Sequence, residues 1–68
     1  MDEVELITKY ASIYQSKLKA LGLDHNEVEK NLNEWIKDKL QYLKDNPDIK
    51  EKEFINYMMD SIEERKLR

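Results

Sequence analysis

The hydrophobic residues in the first third of the chain recur at intervals of three and four. The seam consists of Val4, Ile7, Ala11, Tyr14, Leu18 and Leu21, and the flanking apolar residues are Leu6, Tyr10 and Ile13. This spacing predicts an amphipathic helix over about 2–21, whereas a strand would require alternation. Because the apolar stripe covers roughly half of the helical surface, we expect this helix to contact two neighbours.

A glycine and an acidic capping residue separate this helix from the next. Gly22 is the only glycine and lies where a helix end favours left-handed backbone. Asp24 and Glu27 form a capping-box pattern, and Leu23 and Val28 form a hydrophobic staple around it. A connection this short predicts an antiparallel helical hairpin.

The second helix is predicted over about 25–45. It ends before Pro47, since the residue that precedes a proline is displaced from helical backbone angles. Its apolar residues occupy one arc: Val28, Leu32, Trp35, Ile36, Leu40, Tyr42 and Leu43.

The third helix has two alternative starts. Asn46 could cap it, with Pro47 at the first helical position. Alternatively, Ile49 and Phe54 could form a second staple, although lysine would then occupy the unfavourable cap position. We place the start between 47 and 51 and the helix over about 49–66. Its predicted buried face is Phe54, Ile55, Met58, Met59 and Ile62.

These patterns together predict one all-α domain over 1–68, a small antiparallel three-helix bundle of up-down-up topology. One glycine and one proline are too few for the turns that strands and hairpins need. In so small a domain, the burial of a core barely offsets the conformational entropy lost on folding. A homodimer that covers the outer apolar edges is therefore an alternative to a monomer.

Composition narrows the class of protein further. The chain has no cysteine, which excludes disulfides and thiolate chemistry and favours a reducing compartment. Uninterrupted apolar runs reach only two or three residues, so we expect no membrane span. The N-terminus is acidic where a secretory leader would be basic. We therefore expect a cytoplasmic protein.

The sequence contains no pattern typical of a catalytic, cofactor-binding or metal-binding site. His25 is the sole histidine, and with Glu29 one turn on it offers only two metal ligands. Carboxylate pairs such as Glu34 and Asp38 lie on predicted polar faces, where water keeps both members ionised. There is no glycine-rich phosphate loop and no activated nucleophile. We expect neither an enzyme nor a bound cofactor or metal.

Four residues are candidates for binding a partner protein. Lys39 falls inside the apolar arc of the second helix, where its stem could cover the core while its ammonium reaches water. The alternative interpretation is a charged anchor in a partner-binding groove. Trp35 and Tyr42 share one edge of that helix, and Tyr57 stands off the main face of the third. Tryptophan and tyrosine often anchor protein interfaces.

The function that these features favour is a non-enzymatic protein–protein interaction module, such as an inhibitor, adaptor or regulator. Ten lysines against two arginines fit AT-rich coding, as in a low-GC bacterium or a phage. The alternative is a DNA-binding regulator of the helix-turn-helix type. Nucleic acid is the less favoured partner, because the net charge is −3 and the third helix carries no base between Lys52 and the group expected at its C-terminus, Arg65, Lys66 and Arg68.

Overall fold

The computed structural model describes residues 1–65 and contains three helices: α1 (Glu3–Ala20), α2 (His25–Asp45) and α3 (Glu51–Glu63). Helix accounts for 80% of this part of the chain, and no strand occurs in it. The prediction of a small all-α three-helix bundle is confirmed. The molecule measures 36 × 18 × 18 Å and is elongated along the helices.

Side-chain contacts give the directions of the helices. Trp35 contacts Ser61 near the end of α3, whereas Tyr42 stacks on Phe54 near its start, so α2 and α3 are antiparallel. The short loop over 21–24 reverses the chain between α1 and α2. The topology is therefore up-down-up, with α1 and α3 parallel.

The end of α1 is a Schellman motif around Gly22. The Gly22 N–H donates to the carbonyl of Lys19 at 3.0 Å, and the Leu23 N–H donates to that of Leu18 at 3.3 Å. Gly22 has a φ of +87°, which lies in the left-handed region that side chains with a Cβ avoid. The backbone angle alone requires glycine here. A clash does not contribute, since nothing lies within 4 Å of a Cβ placed at this position.

Aspartates cap the first two helices. The Asp24 carboxylate accepts a hydrogen bond from the Glu27 N–H at 2.8 Å, which confirms the predicted start of α2. The Asp2 carboxylate accepts from the Glu5 N–H at 3.0 Å in the same way. The predicted start at 2 made Asp2 the first helical residue of α1. The structure instead places Asp2 at the cap position, and the helix begins at Glu3.

The start of α3 follows the second of the two alternatives. The helix begins at Glu51 with Lys50 at the cap position, where no side chain caps it. Asn46 instead serves the preceding helix, because its side-chain amide donates to the Tyr42 carbonyl at 2.9 Å. The start at Glu51 lies within the predicted interval of 47 to 51, two residues after the approximate start at 49.

The end of α3 is capped from another helix. The Lys17 ammonium of α1 donates to the carbonyls of Ile62 at 2.7 Å and Glu63 at 3.4 Å. A cation at this position complements the negative end of the helix dipole. The predicted end at 66 is wrong, since the helix stops at Glu63. Lys66 and Arg68, which we had expected at this terminus, lie outside the described residues.

The core lies along the axis of the bundle, and its buried hydrophobic residues are Ile7, Ala11, Tyr14, Leu18, Val28, Trp35, Phe54, Met58 and Ile62. The backbone of α1 approaches both other helices closely. Large side chains fill the space between α2 and α3 and hold these two helices further apart.

Candidate functional site

Lys39 lies buried between α2 and α3. Its residue exposure is 2%, and its ammonium lies 4.8 Å from the centre of the Trp35 ring and 4.9 Å from that of Tyr57. The ammonium also donates to the Asp38 carboxylate at 2.7 Å. The expectation that this ammonium would reach water is wrong. Two aromatic faces and one carboxylate replace the water around it.

Asp38 connects the lysine to α3. Its Oδ2 accepts hydrogen bonds from Lys39 and, at 2.8 Å, from the Tyr57 hydroxyl. The hydrogen bond from Lys39, and after it the one from Tyr57, lowers the pKa of Asp38. Partial burial, together with the adjacent Asp38 carboxylate, raises the pKa of Tyr57 from 10.0 to about 12. The charged pair and the phenol thus favour an ionised Asp38 and a neutral Tyr57.

Aromatic stacking encloses this cluster. The rings of Tyr42 and Tyr57 are nearly parallel, at 8°, with centroids 3.6 Å apart. On the other side, Trp35 stacks on Tyr14 of α1 at 5.5 Å. The Trp35 indole N–H donates to the Ser61 hydroxyl at 2.9 Å, so its one polar atom is satisfied inside the bundle.

The structure therefore brings the four predicted partner-binding residues together in one cluster. Trp35 and Lys39 are buried, with 6% and 2% exposure, which leaves them almost no surface for direct contact with a partner. Tyr42 and Tyr57 are partly buried and pack α2 against α3. A role for these four residues in partner binding stays a prediction. The contacts described above join them to one another and to neighbouring helices of the bundle.

A second feature, an apolar groove between α1 and α2, was missed by the sequence interpretation. It has a volume of about 490 Å³. The α1 side includes Val4, Thr8 and Ala11, and the α2 side is formed by Leu32, Ile36 and Leu40.

The exposed apolar residues of this groove were expected to be buried. Val4 is 74% exposed and Leu40 is 46% exposed, although the spacing of the chain places both in apolar faces. The expectation of burial is wrong for these two residues, because α3 covers only one side of the α1–α2 hairpin. The sequence carried no separate signal for the groove, because a helical period reports which residues share a face and not whether another helix covers that face.

Other chemistry is sparse over residues 1–65. His25 is on the surface with an 88% exposed side chain, 3.7 Å from the Glu29 carboxylate. Within these residues no group of three or more His, Asp or Glu side chains is placed to hold a metal ion. No helix in the same part of the chain combines the length and the apolar character needed to cross a bilayer.

Comparisons of the chain with protein-family models, with curated proteins and with solved structures found no significant match.

Proposed function

We propose that this protein is a small, non-enzymatic interaction module of the cytoplasm that binds another protein through the groove between α1 and α2. The supporting observation is the exposure of contiguous apolar side chains along this groove. Single exposed apolar residues are ordinary on a protein surface, but a contiguous patch is typical of an interaction site. A partner would gain affinity by burying Val4 and Leu40, which water now surrounds.

The shape of the groove defines the kind of partner surface that fits. Two antiparallel helices form its walls, and the short residues Thr8, Ala11 and Ser12 line it along α1. Short side chains permit a close approach, so the apolar face of a partner helix would fit between the walls. In this proposal an inhibitor, adaptor or regulator acts by occupying a helical face of its target.

The cluster around Lys39 supports the proposal indirectly. It holds α2 to α3 on the side away from the groove, through the Asp38–Tyr57 hydrogen bond and the stacked Tyr42 and Tyr57 rings. A rigid wall reduces the entropy lost when a partner binds. Trp35 and Lys39 would then support the binding face without touching the partner.

DNA binding is the less favoured alternative. Lys17 is engaged by the carbonyls at the end of α3, and Lys39 is buried against Asp38. These two bases are thus unavailable for phosphate contacts, which supply most of the affinity for nucleic acid.

The test uses two matched variants of the tagged chain. Leu40→Glu places a charge in the groove, and Ile13→Glu places one on a residue of similar exposure, 46% against 42%, outside it. We expect a protein captured by the wild type from cells of the native host to be lost with Leu40→Glu and kept with Ile13→Glu. Equal capture by both variants would contradict the proposal. Tight binding to duplex DNA, weakening steeply with added salt, would favour the alternative.

A further inference from the structure

Four charged residues stand at the corners of the apolar groove. At one end, Glu3 on α1 and Lys44 on α2 both line the cavity that continues the groove there. At the other end, Lys19 lies one helical turn beyond the groove-lining Gln15. All three charged residues are exposed.

The fourth corner is Glu29, one turn before the groove-lining Leu32, with a side chain that is 65% exposed. Along each helix, the charge at one end of the groove is thus opposite to the charge at the other end. At each end of the groove, the charge on α1 is also opposite to the charge on α2. The corner charges alternate in sign around the groove.

From this alternation we infer that the groove binds a second copy of the same chain, forming a two-fold symmetric dimer. In a two-fold interface each copy presents the same patch, so the patch must complement itself. A rotation about an axis in the plane of the groove places α1 over α2 of the partner, or over α1 of the partner running the opposite way. In both arrangements every acidic corner meets a basic corner.

Charge balance at the groove is compatible with a second copy. The chain as a whole carries −3, so two copies repel each other at long range. The four corners sum to zero, which makes the groove a neutral area on an acidic protein. The apolar residues between the corners supply the burial, and the corners set the orientation.

The inference rests on the proposed function in taking the groove as a protein-binding surface, and it names a second copy of the chain as the occupant. Its first test is the mass in solution by sedimentation, over concentrations up to about 1 mM, the weak end of specific association. We expect a mass rising toward twice the 8.2 kDa of one chain. Leu40→Glu should hold the mass at that of one chain, with helical content unchanged, whereas Ile13→Glu should dimerise as the wild type does.

A charge-exchange experiment tests the corners themselves. One variant combines Lys19→Glu with Lys44→Glu, and a second combines Glu3→Lys with Glu29→Lys. Each variant alone places like charges opposite each other, so we expect each to stay monomeric. An equimolar mixture should restore every pair and form a heterodimer.

Control variants separate corner pairing from general attraction between oppositely charged chains. Lys9→Glu with Lys52→Glu, and Glu34→Lys with Glu53→Lys, produce the same changes in net charge at exposed sites outside the groove. We expect each of these control variants to dimerise alone. An equimolar mixture of the two should contain no larger fraction of dimer than the wild type.

A monomeric wild type at every concentration would overturn the inference, as would dimers that persist in Leu40→Glu. Failure of the proposed function is distinguishable from failure of the dimer. A monomeric wild type that loses a captured protein only with Leu40→Glu refutes the dimer and supports the proposed function. A groove-dependent dimer whose capture of other proteins is insensitive to Leu40→Glu supports the dimer and refutes binding of another protein at this groove.

Discussion

Lys39 offers the sharpest test of how this bundle is stabilised, because its stem and its charge make separable contributions. The ammonium lies against the rings of Trp35 and Tyr57, and the stem is buried too, since the whole residue is only 2% exposed. Replacing Lys39 by alanine removes three methylene groups. At about 0.8 kcal/mol for each buried methylene, the lost burial destabilises the fold by about 2.5 kcal/mol.

The ammonium contributes opposing terms that nearly cancel. Each cation–π contact adds about 1 to 2 kcal/mol when it is shielded from water. The bond to Asp38 adds about 0 to 1 kcal/mol, because that carboxylate is 55% exposed. Against these gains, removing the ammonium from water costs several kcal/mol. We therefore expect Lys39→Met, which keeps an unbranched apolar stem, to change the free energy of unfolding by less than about 1 kcal/mol.

Urea unfolding followed by circular dichroism measures both variants. Lys37→Ala and Lys37→Met serve as controls, since Lys37 is an exposed residue of the same helix. Comparing the same substitution at both positions removes the contribution of helix propensity to the free energy of unfolding. Lys39→Ala should lower the free energy of unfolding by about 2 to 3 kcal/mol relative to its control. If Lys39→Met costs as much as Lys39→Ala, the charge and not the burial of the stem stabilises the fold, and the contributions of the ammonium do not cancel.

The remaining predictions concern the turn and the Asp38–Tyr57 pair. Asp24→Ala should cost about 1 kcal/mol through the lost cap and lower the melting temperature by about 4–8 °C; an unchanged melting temperature would mean that the cap hydrogen bond adds nothing. Gly22→Ala should cost about 1 kcal/mol in urea unfolding, because alanine is strained at a φ of +87°, and a neutral result would contradict that backbone angle. Since the pKa of Tyr57 is raised to about 12, its contribution to stability is complete below pH 10 and is lost as the pH rises from about 10 to about 12. Tyr57→Phe should abolish this alkaline loss. The lowered pKa of Asp38 acts oppositely: its contribution is present above the ordinary value of 3.8 and is lost as the pH falls through the lowered pKa, so stability measured at acid pH should fall less in Asp38→Asn.

The sequence alone determined the helices and the first turn, because both depend on residues close together in the chain. Apolar residues three and four apart define a buried face without reference to any other element. Gly22 and Asp24 likewise act on backbone groups within five residues, so the end of α1 and the start of α2 were predictable. The start of α3 was less predictable, because Asn46 can cap either the end of α2 or the start of α3. Its hydrogen bond to the Tyr42 carbonyl assigns it to α2.

Only the tertiary structure decided which apolar residues are covered and where the charges go. Lys39 is buried because Trp35 and Tyr57, from two different helices, enclose it, and no local pattern places those two rings together. Val4 and Leu40 share the periodicity of the core, yet α3 packs on the opposite side of the hairpin and leaves them in a groove. A helical period reports which residues share a face, whereas the coverage of that face depends on how the helices pack.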